Sequence, residues 1–155
     1  MKGNVKVIEK LNDLLSDELT AIDQYMVHAG MCDNWGYGKL HDAVEHRAID
    51  EMKHAERLID RIIFLEGKPV VSTLKKITIG AEVEEQIKND HAAEVGAIKS
   101  YNDGIKLAGE SADNGTRELF ESILKDEEAH IDWIEAQLDQ ISQMGIQNYL
   151  VEQAS

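Results

Sequence analysis

The chain has 155 residues, 43% hydrophobic and 30% charged, with 16 Lys and Arg against 30 Asp and Glu, a formal net charge of −14. That length is a prior for one domain, residues 1–155, with core enough for four helices. The acidic balance excludes a nucleic-acid binder and a protein docked on anionic membranes, both of which need basic surface. One cysteine, Cys32, excludes an intramolecular disulfide framework and any multi-cysteine zinc or iron–sulfur site. The first residues, Met1 to Lys6, meet charge too early for a signal peptide. No apolar run approaches the roughly 18 residues of a membrane span, so a soluble, cytoplasmic protein is expected. A single proline and 5% aromatic residues disfavour an all-β fold.

The first stretch, about 4–33, carries Val7, Leu11, Leu14, Leu15, Leu19, Ile22, Tyr25, Met26 and Ala29 at helical spacing. Asn34 to Gly38 (NWGYG) breaks it. The second stretch, 39–65, has the thinner stripe Leu40, Ala43, Val44, Leu58, Ile62 and Leu65, and stops at Gly67-Lys68-Pro69. A connection over 66–81 is far longer than a bundle turn needs. Its Val70, Val71, Leu74, Ile77 and Ile79 predict that it packs along the outside. The third stretch, 82–108, repeats the helical stripe with Val83, Ile87, Ile98, Tyr101, Ile105 and Ala108. After the GESADNG break, the fourth, 114–144, does so with Phe120, Ile123, Ile134, Leu138 and Ile141. Each helix would be on the order of 40 Å long at ~1.5 Å per residue. The tail from Ile146 to Val151 predicts a short fifth helix that a monomer has little use for, a hint of assembly. The fold class is therefore all-α, a four-helix bundle with one long crossover.

Carboxylates interrupt these stripes where apolar residues belong. Glu18 sits between Leu14/Leu15 and Ile22, and Glu94 between Ile87 and Ile98; Glu51 with His54, and Glu127 with His130, lie on the core side of the second and fourth helices. One ionised carboxylate in a core costs several kcal/mol unless paired or coordinated. Four with two histidines cannot pair off mutually, and a shared polyvalent cation resolves the conflict. Glu51 and His54 are about 60° apart in azimuth and roughly 4.5 Å in height, so both can meet one ion. Glu127-Glu128-Ala129-His130 repeats the arrangement.

A shift of 76 residues maps Glu18 onto Glu94, Glu51 onto Glu127 and His54 onto His130. It also superposes Tyr25 on Tyr101, Glu45 on Glu121 and Asp50 on Asp126. Two copies of a helix pair facing each other across a pseudo-two-fold axis would hold two metal ions, each with one histidine. By analogy of roles, Glu51 and Glu127 bridge while Glu18 and Glu94 cap. Carboxylate oxygen with one imidazole per ion favours iron or manganese over zinc and does not separate the first two.

Glu18, Glu51-Met52-Lys53-His54, Glu94 and Glu127-Glu128-Ala129-His130 resemble bacterioferritin, the haem-containing bacterial branch of the ferritins. The likeness spans essentially the whole chain, including the crossover and the short last helix, and Phe64-Leu65-Glu66-Gly67 also looks like that family. A second E-x-x-H on the fourth helix discriminates it from other ferritins. The resemblance implies a ferritin-like fold and a hollow shell of two dozen subunits built through two-fold dimers. It implies that the di-iron centre is a ferroxidase that oxidises Fe(II) to Fe(III) with oxygen or hydrogen peroxide, the ferric mineral being stored inside. It further implies a b-type haem shared between two subunits, with Met52 as axial ligand, and a reductase such as a ferredoxin for iron release. His46 and Asp50, one helical turn apart, would bind iron on the inner surface, though an exposed helical face explains them as well. Met52 points about 130° away from the Glu51–His54 bisector, out of the bundle, and its repeat counterpart is Glu128.

Tyr25 and Tyr101 are expected as core aromatics with satisfied hydroxyls, with electron delivery to the site or a bond to a ligand carboxylate as the other reading. His28, His41 and His91 are expected at the surface, Cys32 as a structural thiol, and Trp35 and Trp133 as packing. Other di-iron readings are a rubrerythrin-like peroxidase, whose usual paired C-x-x-C module one cysteine rules out here, and a di-iron oxygenase, whose membrane-facing form the charge opposes. A dimanganese catalase would share the ligands, and a bundle glued by a structural ion would lack oxygen chemistry.

Overall fold

The Asn4 side chain opens the first helix by accepting from the N–H groups of Lys6 and Val7 at 2.8 and 3.3 Å, two of the donors a helix start leaves free. The structure, a computed structural model, describes residues 1–154. Its helices are α1 (Val5–Asn34), α2 (Gly38–Phe64), α3 (Val83–Glu110), α4 (Asn114–Met144) and α5 (Ile146–Gln153). Four long helices and a short fifth, with no strand among the described residues, form the bundle that the punctuation predicts. α1 packs along α2 and α3 along α4, and the two hairpins meet chiefly through α1 and α3. No helix among the described residues is long and apolar enough to cross a membrane.

Helix ends lie within two residues of the predicted breaks, but two closures use residues other than the expected glycines. Glu66 (φ 63) and Ala112 (φ 55) adopt the left-handed conformation. Next to them, Gly67 N–H donates to the Ile62 carbonyl and Asp113 N–H to the Ala108 carbonyl, both at 2.9 Å, the usual way of satisfying a last turn. Gly67 is required for room instead: a Cβ there would stand 2.7 Å from Ile8 Cγ2.

The crossover climbs α1 as expected, yet its apolar residues do not hold it. Val70, Val71, Leu74 and Ile79 are exposed, Val71 by 58%. Its backbone is pinned by a polar stripe on α1 at four-residue steps. Val70 N–H donates to Asn12 at 2.8 Å, the Thr73 carbonyl accepts from Ser16 at 2.8 Å, and Lys75 N–H donates to Thr20 at 2.8 Å. Thr78 N–H donates to Gln24 at 3.1 Å and Gly80 N–H to His28 Nε2 at 3.0 Å. A segment without helix or sheet must satisfy its backbone this way.

Two apolar clusters fill the ends of the bundle. One gathers Leu11, Leu14, Leu58, Ile62, Phe120 and Ile123; the other gathers Cys32, Leu40, Val83, Ile87, Ile134 and Tyr149. α5 serves its own chain, which the tail's composition did not suggest: Tyr149 is fully buried and donates to Gln137 Oε1 at 2.7 Å, while Val151 stays 71% exposed. Met26, assigned to the α1 stripe, is 60% exposed, one position past the buried Tyr25.

Candidate metal centre

α1 contributes Glu18, α2 Glu51 and His54, α3 Glu94, and α4 Glu127 and His130. The structure brings all six together. Five are buried, and the His130 side chain is 11% exposed. They fall into two groups, Glu18–Glu51–His54–Glu127 and Glu51–Glu94–Glu127–His130. Within each group one ligand atom per residue lies within 4.8 Å of all the others. Glu51 and Glu127 belong to both. His54 Nδ1 is 3.2 Å from Glu127 Oε1 and 3.5 Å from Glu18 Oε2; His130 Nδ1 is 3.1 Å from Glu51 Oε1 and 3.5 Å from Glu94 Oε1. The imidazole centroids are 6.3 Å apart.

The surrounding hydrogen bonds run crosswise between the two hairpins. His54 Nε2 is 2.9 Å from Asp126 Oδ2 on α4, and His130 Nε2 is 3.0 Å from Asp50 Oδ2 on α2. Tyr25 on α1 donates to Glu94 Oε1 at 2.7 Å, and Tyr101 on α3 donates to Glu18 Oε1 at 2.6 Å. Both hydroxyls are thus satisfied, on the carboxylates themselves. A carboxylate behind the far ring nitrogen fixes the tautomer that leaves Nδ1 free to bind a metal.

Among the described residues, seven buried side-chain atoms lack a hydrogen-bond partner. They are Glu18 Oε2, Glu51 Oε1, His54 Nδ1, Glu94 Oε2, both Glu127 oxygens and His130 Nδ1. Every one points into this cluster, so the donor set fits a pair of cations, hard oxygens with one imidazole each. Burial and neighbouring carboxylates push Glu18 upward and Glu51 well upward, and burial with the Glu127 charge pushes Glu94 to about 7. Burial works the same way on Glu127, but the adjacent His130, His54 and Glu51 side chains hold it below the usual range. Burial opposes charge on the histidines, and their carboxylate partners overcome it, raising His54 to about 11 and His130 to about 10.

The family described as Ferritin-like domain matches residues 8–144. The bacterioferritin of Brucella melitensis is 41% identical over 149 residues, 96% of this chain and 92% of that protein. That of Rhodobacter capsulatus is 39% identical over 155 residues, 100% of this chain and 96% of its own. That of Streptomyces coelicolor is 42% identical over 150 residues, 97% and 90% respectively. The chain belongs to the bacterioferritin family.

In this bacterioferritin-family chain the centre is reached by a cleft of about 350 Å³ between α1 and α3, bordered by Asp17, Lys75, Lys76 and Gly96 and running in to the four glutamates. On the other side, His46, Arg47, Asp50, His130 and Trp133 border a second hollow. His46 is 78% exposed with Nδ1 3.5 Å from Asp50 Oδ2, the same oxygen that receives His130. Met52 is 46% exposed on α2, three residues after the exposed Ile49.

His28 is not a surface residue but fully buried. Its Nδ1 is 2.8 Å from Asp90, which also accepts from Gln24 at 2.9 Å and Arg47 at 3.1 Å. The Arg47 guanidinium lies 4.5 Å from the Tyr25 ring centroid and 5.6 Å from that of Trp133. His41 and His91 are half-buried and bond the Ala29 carbonyl and Glu135, both at 2.9 Å. The buried Cys32 thiol is pushed up to about 11 by burial. Asp126 and Asp50 as imidazole partners went unassigned at the sequence level; their superposition under the 76-residue shift was the available signal.

Proposed function

We propose that this chain, acting as a single domain, stores iron and oxidises Fe(II) to Fe(III) at the buried cluster, with oxygen or hydrogen peroxide as oxidant. The observation that carries the reading is the convergence of seven partnerless buried ligand atoms on two adjoining positions. Two Fe(II) ions held side by side supply the two electrons that reduce one oxidant molecule by a pair. In this reading Glu51 and Glu127 bridge, Glu18 and Glu94 cap, and His54 and His130 bind through Nδ1. Tyr101 and Tyr25 hold the capping carboxylates in place through hydrogen bonds. A ligand set rich in carboxylate oxygen favours the ferric product, because the harder ion gains more from hard donors.

Glu18→Ala or Glu94→Ala is expected to abolish rapid aerobic Fe(II) oxidation while assembly persists; an unchanged rate would refute the assignment. Storage in a shell of two dozen subunits, the family's expected form, is tested by gel filtration after an excess of Fe(II). Iron co-eluting with a very large species supports it. A small oligomer retaining only the two ions of the centre favours a rubrerythrin-like peroxidase or a di-iron oxygenase. His46 and Asp50 form a candidate inner-surface iron site in this reading, and the cytoplasm is the expected compartment.

Met52 offers an exposed thioether beside Ile49, a donor and an apolar surface that suit one half of a haem b shared across a two-fold dimer. Bound there, the haem would supply a one-electron redox centre. Met52→Leu is expected to remove the Soret band without slowing the first round of Fe(II) oxidation. Retained haem would place the ligand elsewhere.

A further inference from the structure

Lys75 carries a charge that the proposed chemistry does not use. Its Nζ lies 2.7 Å from Asp13 Oδ1 and 2.5 Å from Asp17 Oδ1 on α1. Its backbone N–H is tied to Thr20 Oγ1 at 2.8 Å, so the crossover fixes the root of the side chain at the edge of the cleft. Of the groups bordering that cleft, Lys75 and Lys76 are the cations, and Asp17 stands beside the four glutamates that lie further in. The facing α3 wall is formed by Ala92, Gly96 and Ala97, which carry no charge.

Lys75 and Asp17 at the edge are 42% and 24% exposed, and Asp13, which pairs with Lys75 just outside the cleft, is 47% exposed. Ion pairs this open to solvent contribute little to stability. Their effect on an approaching ion is larger, because a dication interacts with each fixed charge at twice the strength of a monovalent ion. Lys10, with Nζ 3.5 Å from Asp13 Oδ2 and 2.8 Å from Ser100 Oγ, also offsets this group, so Asp13, Asp17, Lys10 and Lys75 sum to zero and removal of Lys75 leaves one net negative charge.

We propose that Lys75 governs how fast divalent cations enter the centre, by offsetting the charge of Asp17 at the edge of the cleft and of Asp13 beside it. The proposal rests on the reading of the buried cluster as a metal centre. Cobalt(II) is the probe, since its arrival requires no oxidation and its unpaired electrons quench tryptophan fluorescence; Trp133 lies three residues beyond His130.

Stopped-flow mixing of the assembled protein with cobalt(II) compares wild type with three variants. Lys75→Met is expected to bind about fivefold faster at ~10 mM ionic strength and to converge on wild type at ~0.5 M, where charges this far apart are screened. Lys75→Arg keeps the charge and the wild-type rate, and the double change Asp13→Asn with Asp17→Asn slows entry. Equal rates for Lys75→Met and wild type at low salt, with the ions still bound, overturn the role of Lys75 alone. An acceleration that persists undiminished at high salt also overturns it, since it reports a loosened crossover. Failure of every form to retain cobalt(II) sinks the metal-centre reading and the proposal with it.

Discussion

Asp126 shows how much a solvent-facing residue can matter to a buried one. Its side chain is 53% exposed, yet its Oδ2 lies 2.9 Å from His54 Nε2 and sets which nitrogen of that ring is free. Removing such a partner typically lowers metal affinity by about 10–100-fold, and the exposure of Asp126 places the effect near the lower bound. Asp126→Ala is expected to weaken one of the two cobalt(II) binding steps about tenfold and to leave the other nearly unchanged. An equilibrium titration checks this, and equal weakening of both steps would show that the two positions are not separately supported. The six clustered residues are legible in the sequence because each breaks an apolar stripe and because the 76-residue shift pairs them. His28 was not legible. Its partners Asp90 and Gly80 lie on α3 and in the crossover, and nothing local to His28 marks it as buried.

At the level of the element, the start of α4 is the best-defined joint. Asp113 accepts from Thr116 N–H at 3.0 Å and from Thr116 Oγ1 at 2.6 Å, and Arg61 of α2 donates to it at 2.9 Å. Burial pushes its carboxyl upward, but the bonds from Thr116 and Arg61 outweigh this and hold it below the ordinary 3.8. A depressed folded pKa gives stability that is present above the unfolded value and is lost as pH falls through the folded one. Asp113→Asn is therefore expected to lower the melting temperature by a constant amount at neutral and mildly acidic pH, with the gap closing below about pH 4. A gap that stayed open at lower pH would assign the loss to geometry instead of charge. Helix positions were readable from periodicity, since a 3.6-residue repeat is a local property. The course of the crossover was readable only as contact with the outside. What holds it is the stripe Asn12, Ser16, Thr20, Gln24 and His28, whose spacing looks like an ordinary polar helix face.

Across the whole molecule, the bundle carries a polar layer between two apolar clusters, and that layer opposes folding until its charges are matched. Replacing buried ionic groups with neutral ones of like volume is often stabilising. Glu18→Gln is expected to raise the melting temperature of the metal-free protein by ~2–4 °C, corresponding to about 1 kcal/mol for a chain of this size. Cobalt(II) at ~100 times its dissociation constant should stabilise wild type by about 2.7 kcal/mol per site, and this increment should shrink in the variant. Calorimetry with and without a chelator checks both. A metal-free variant that melts below wild type would mean that Glu18 is well compensated by Tyr101 and His54 alone.

The two hairpins are near-copies, but only one peptide segment joins them. The groove between α1 and α3 takes one bank from each hairpin, so perfect doubling would border it alike on both banks. Instead α1 carries Ser16, Thr20 and Gln24, while the positions 76 residues on in α3 are Ala92, Gly96 and Ser100. One bank bears the joining segment with its lysines and the other is bare backbone and small side chains. The approach to a nearly symmetric centre is thus one-sided because a single segment joins the two halves.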